Sequence, residues 1–102
     1  MGAVGGVAQV LNPFAPLLLL AANLEEELQA QGTNLTVSLQ RNVLTVAYHQ
    51  IVILNWRIVR GTLVCSPTGW RRKTYTAAGP TSAREITIRL VFEFVRQFQS
   101  LG

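Results

Sequence analysis

The chain has 102 residues, of which 49% are apolar and only 14% charged, against about 25% charged in an ordinary soluble domain. That length holds one domain and not two. The composition excludes an intrinsically disordered chain, a collagen and a disulfide-stapled mini-protein.

The first charged residue is Glu25, so residues 1–24 form an uncharged, mostly apolar block. A membrane span needs about twenty consecutive apolar residues. Here Gly5, Gly6, Asn12, Pro13 and Pro16 divide the block, and its longest clean run is Leu17 to Ala22. A signal peptide also fits poorly, because no cation precedes the apolar core. Residues 1–22 therefore read as an apolar N-terminal arm or helix start, and residues 23–102 as a single α+β domain. Two starts are open for the helix. Asn12 can cap it with Pro13 at the first helical position, which lines up Leu17, Leu20, Leu24 and Leu28 on one side. Alternatively Asn23 caps it, with Glu26 as its capping-box partner. Both versions end at Gly32.

After Gly32 the period changes to two. Leu35, Val37 and Leu39 alternate with Thr36, Ser38 and Gln40, which predicts a strand. Gln40-Arg41-Asn42 is a turn. Residues Val43 to Val59 are rich in Val, Ile, Tyr and Trp but too long for one ordinary strand. The polar interruptions at His49-Gln50 and Asn55 predict a bend, a bulge or a stretch buried on both faces. Gly61 breaks the run before Thr62 to Cys65, and Ser66-Pro67-Thr68-Gly69 has turn chemistry. Trp70 to Thr76 reads as the returning strand of a projecting basic hairpin, followed by a loop over residues 77–81.

The last segment carries two competing patterns. Ser82 and Glu85 have capping-box spacing, and Ile86, Leu90 and Phe94 recur every four residues. Yet Ile86, Ile88, Leu90, Phe92 and Phe94 also alternate strictly with Glu85, Thr87, Arg89, Val91 and Glu93. The β-branched Ile-Thr-Ile run favours a strand over 85–95. The expected fold class is α+β: one N-terminal helix plus an antiparallel sheet of four to five strands.

The functional inventory is sparse. Cys65 is the only cysteine, His49 the only histidine, and there is no aspartate. One thiolate and one imidazole build neither a cysteine zinc site nor a two-histidine metal site. The familiar aspartate sites for magnesium, calcium and phosphoryl transfer are likewise missing. No phosphate-binding glycine loop is present. A Cys65–His49 nucleophilic pair is the one enzymatic arrangement left; its plain alternative is a small buried hydrophobe and an ordinary strand residue. The sequence thus predicts no catalytic residue, no metal, no cofactor and no small-molecule substrate.

What remains is an uneven distribution of charge and apolar surface. Residues 1–51 carry three Glu and one Arg, net −2, whereas residues 52–102 carry eight cations and two Glu, net +6. Trp70, Arg71, Arg72, Lys73 and Tyr75 combine three cations with two aromatics. That combination suits phosphate contact and base stacking, and equally an acidic protein partner or a plain solvated tip. Phe14, Leu17, Leu18, Leu19 and Leu20 form the candidate assembly interface, because a domain this small cannot hide so much apolar surface. The leading expectation is a structural subunit that self-associates or joins other subunits, within a cell or particle rather than secreted. Its general character suits a virion or phage-tail component. A small nucleic-acid-binding protein is the alternative, and a membrane-associated subunit the third.

Overall fold

A computed structural model describes residues 13–30 and 34–101. The elements run α1 (Ala15–Ala30), β1 (Leu35–Gln40), β2 (Val43–Tyr48), β3 (Ile51–Val59), β4 (Thr62–Pro67), β5 (Tyr75–Ala77) and α2 (Pro80–Leu101). The class is α+β, with five antiparallel strands in the order β1-β2-β3-β4-β5. The proposed caps Asn12 and Gly32 lie outside the described residues, as does most of the apolar arm. Among the described residues no helix is long and apolar enough to cross a membrane.

The meander forms because three two-residue loops reverse the chain. Arg41-Asn42, His49-Gln50 and Arg60-Gly61 all have positive φ at both positions, as a type I′ hairpin requires. Asn42 and Gly61 adopt this conformation readily. Arg41, His49, Gln50 and Arg60 do so at roughly 1–2 kcal/mol each. The run 43–59 is therefore two strands, and His49-Gln50 is the reversal between them rather than a bend. A separate bulge lies further along. The β2–β3 register shifts between Val46 and Ala47, which face Leu54 and Val52. Ile53 is the extra residue, and both Ile53 and Leu54 are buried.

One face of the sheet is covered by the two helices and the other is open, as antiparallel sheets allow. Leu44, Val46, Leu54, Trp56, Leu63 and Cys65 point into the core, where they meet Leu17, Leu20, Leu24 and Leu28 of α1. The open face is mixed: its cross-strand pair Thr45 and Asn55 shares a 2.9 Å hydrogen bond, and Val59, further along β3, is half-exposed. Helix α1 follows the earlier of the two possible starts. The Phe14 carbonyl accepts the amides of Leu17 and Leu18, so Glu25–Glu27 fall in the second half of the helix.

The strand expected over 85–95 is instead the middle of a 22-residue helix. Ala83, Thr87, Leu90, Val91 and Phe94 are buried, which is the 3.6-residue stripe of a helix lying on a core. Alternation would have buried Phe92 and exposed Thr87; the structure does the reverse, leaving Phe92 52% exposed and Thr87 fully buried. The helix also begins before the proposed cap at Ser82. Gly79 accepts the Ala83 amide at 3.0 Å, and Pro80 takes the first helical position, where its missing N–H costs nothing.

Thr87 supplies the physical reason. Its hydroxyl donates back to the Ala83 carbonyl at 2.8 Å and accepts the indole N–H of Trp56 at 2.7 Å. Trp56 and Thr87 have no exposed surface, so the buried indole needs this acceptor. Thr87→Val should destabilise the protein by about 1–3 kcal/mol, because it strands a buried donor. Thr87→Ser keeps the oxygen and loses one methyl, so its cost should stay under about 1 kcal/mol. Urea unfolding of the two variants checks the pair.

Candidate interaction site

The connection from β4 to β5 is pinned by the bulge. Where β4 ends, the carbonyl of Ile53 accepts the Thr68 amide at 2.9 Å, the Thr68 hydroxyl at 3.1 Å and the Trp70 indole N–H at 2.9 Å. The Thr68 hydroxyl also contacts the Val52 carbonyl. Gly69 takes φ 66° between them, so the chain can turn back and bring the Trp70 amide to the Thr68 carbonyl. The returning strand is consequently short. It is only Tyr75–Ala77, and Arg71, Arg72 and Lys73 occupy the irregular connection rather than a strand.

Trp70 is an anchor, not an open stacking platform. It is half-buried, its N–H is engaged, and its ring meets Phe94 edge-on at 5.5 Å. Arg71 folds back against the body of the protein. One guanidinium nitrogen donates to the Tyr75 hydroxyl at 2.8 Å, and the other lies 2.5 Å from Glu93 Oε2. The latter contact is an ion pair rather than an aligned hydrogen bond. The Tyr75 hydroxyl, with Glu93 assisting, holds Arg71 charged above its ordinary range. The same guanidinium sits 5.5 Å from the Trp70 ring centre, and the Lys73 ammonium 5.4 Å from that of Tyr75, both cation–π distances.

These groups line a cleft of about 200 Å³ between the β4–β5 connection and α2. Arg71, Lys73 and Tyr75 come from the first side. Arg89 and Glu93 come from the helix, above a floor of Ile86 and Leu90. Three of the five residues predicted from the sequence are thus brought together, whereas Arg72 is exposed outside the lining. Arg89 and Glu93 escape a sequence reading because 85–95 has the pattern of a strand. The helical spacing of residues 86, 89, 90 and 93 places all four on one side, and is the signal that could have found them.

The candidate assembly residues divide. Leu17 and Leu20 are fully buried in the chain's own core and Phe14 packs against it, so these three belong to the fold. Leu18 and Leu19 are 50% and 59% exposed. Along the same helix, Glu25, Leu28 and Gln29 line a second cleft of about 160 Å³ with Leu35, Thr36 and Val37 of β1. This cleft lies at the opposite edge of the sheet from the first.

Cys65 faces the core beside Trp56 and Tyr75, while His49 occupies the exposed β2–β3 loop, against the Tyr48 ring. Among the described residues no group of three or more His, Cys or Glu side chains is placed to hold a metal ion. No family model, curated protein or solved structure matches the chain.

Burial pushes the Cys65 thiol up from 9.0 to about 12. An acid raised on folding stabilises the protein fully below its unfolded pKa and loses that contribution as the pH climbs through the folded value. The stability difference between the native chain and Cys65→Ala should therefore narrow between pH 9 and pH 12, as read by urea melts across that window. In the folded protein at pH 8, Cys65 should also resist thiol reagents that label it rapidly once it is unfolded.

Proposed function

We propose that the protein is a non-enzymatic assembly subunit that associates with copies of itself or with other subunits of a larger particle. One observation carries this reading: Leu18 and Leu19, consecutive on α1, each keep half or more of their surface in water. Burying them would recover on the order of 1 kcal/mol each. Adjacent large apolar groups on so small a protein are a feature of interfaces. The comparison with virion and phage-tail subunits is one of general character: small, sheet-rich, and poor in catalytic groups.

Leu18→Asp combined with Leu19→Asp tests it. Both side chains point away from the core, so the melting temperature should move by only a few degrees. Light scattering should report multimers for the native chain and the 11.2 kDa mass of one chain for the double variant. A native chain that is monomeric at every concentration overturns the proposal.

Nucleic acid is the second candidate partner, favoured by the convergence of Arg71, Lys73 and Arg89 on one cleft. Against it, Trp70 is turned into the protein, which removes one of the two stacking faces such binding would use. If the cleft meets phosphates, Lys73→Ala with Arg89→Ala should weaken retention on single-stranded DNA and flatten its salt dependence. The slope should fall by about 0.7 for each phosphate no longer neutralised.

A further inference from the structure

We propose that copies of this chain join head to tail, the acidic flank of one against the basic flank of the next. The inference rests on the self-association reading above and names its geometry. The meander order places β1 and β5 at opposite edges of the sheet, and each edge presents a row of backbone groups to its surroundings. Natural edges are usually protected by lysine, proline or a bulge; β1, with the sequence Leu-Thr-Val-Ser-Leu-Gln, has no charge and no proline.

Each edge strand is accompanied by a helix, and a cleft opens on each flank, between α1 and β1 on one and between α2 and the β4–β5 connection on the other. The β1 cleft holds Glu25, with Glu26 exposed on the same helix. The β5 cleft holds Arg71, Lys73 and Arg89, of which Arg71 is paired with Glu93. The flanks are opposite in sign. Apolar groups accompany both sets of charges. Leu18 lies seven residues before Glu25 and so on the same row of α1, and Phe92 lies three residues after Arg89 on α2.

Charge chooses among the possible junctions. A two-fold junction through β1 would set Glu25 and Glu26 near their own copies. One through β5 would do the same with Lys73 and Arg89. Like charges across an interface are strongly disfavoured, and opposite ones steer association. The head-to-tail junction alone matches acid with base. Such a heterologous interface repeats from copy to copy and yields a ring or a filament. In this meander the odd-numbered strands point the same way, so β1 of one copy runs parallel to β5 of an identically oriented neighbour.

Two charge-reversed chains test the proposal: Glu25→Lys with Glu26→Lys, and Lys73→Glu with Arg89→Glu. All four positions are exposed, and unchanged melting confirms that the fold is kept. Each variant alone should fall to the 11.2 kDa monomer, because both of its flanks then carry one sign. Mixed in equal amounts, the two should regain multimers containing both chains, and added salt should dissolve them. Variants that each stay multimeric would overturn the head-to-tail junction while leaving self-association standing, as would a mixture that remains monomeric. A native chain that is itself monomeric would overturn both. If only the Lys73→Glu, Arg89→Glu chain loses mass, and the lost mass absorbs as nucleic acid, the basic flank serves that partner instead.

Discussion

The hydrogen bond from Trp56 to Thr87 sets the phase of helix α2, and much of the surface follows from it. A fully buried indole N–H without an acceptor would cost about as much as a sizeable part of a small domain's net stability. The acceptor comes from the helix, and Thr87 is free to serve because its own proton is satisfied by the Ala83 carbonyl. With Thr87 turned inward, Leu90, Val91 and Phe94 must follow it, while Glu85, Arg89, Phe92 and Arg96 turn outward. Arg89 and Glu93 then face the β4–β5 connection, and the basic cleft exists.

The other side of that cleft depends on one bulge. Because Ile53 is an extra residue opposite β2, and β4 has already ended at Pro67, its carbonyl is available to donors from residues 68 and 70. Three donors on one oxygen fix the start of a connection that would otherwise be a long irregular loop. Trp70 is used up in this anchoring, and Arg71 emerges beside Tyr75 and Glu93. The aromatic that looks most like a nucleic-acid platform in the sequence is therefore part of the mechanism that positions the cations.

The legible parts of the sequence are those governed by local patterns. The alternation of residues 35–40, the turn at Arg41-Asn42 and the stripe Leu17, Leu20, Leu24, Leu28 all depend on neighbours a few residues away. His49-Gln50 is harder, because neither residue ordinarily favours positive φ and only the surrounding strands impose it. Residues 85–95 satisfy both periods at once. The choice there is made by Trp56, some thirty residues earlier, which no window of local sequence contains. The candidate site is half visible for the same reason: its loop residues are contiguous, whereas Arg89 and Glu93 join them only once the helix is known.

The uneven charge along the chain acquires its meaning from topology. In a meander, order in sequence becomes order in space, so α1 and β1 occupy one side of the molecule, while β5 and α2 occupy the other. A net −2 half followed by a net +6 half is thereby laid out as a gradient across the sheet. Greek-key or crossover connections would have interleaved the same charges. Up-and-down connectivity preserves them as two flanks of opposite sign. A protein built this way has a direction perpendicular to its strands, and that direction is what a repeating, non-symmetric contact requires.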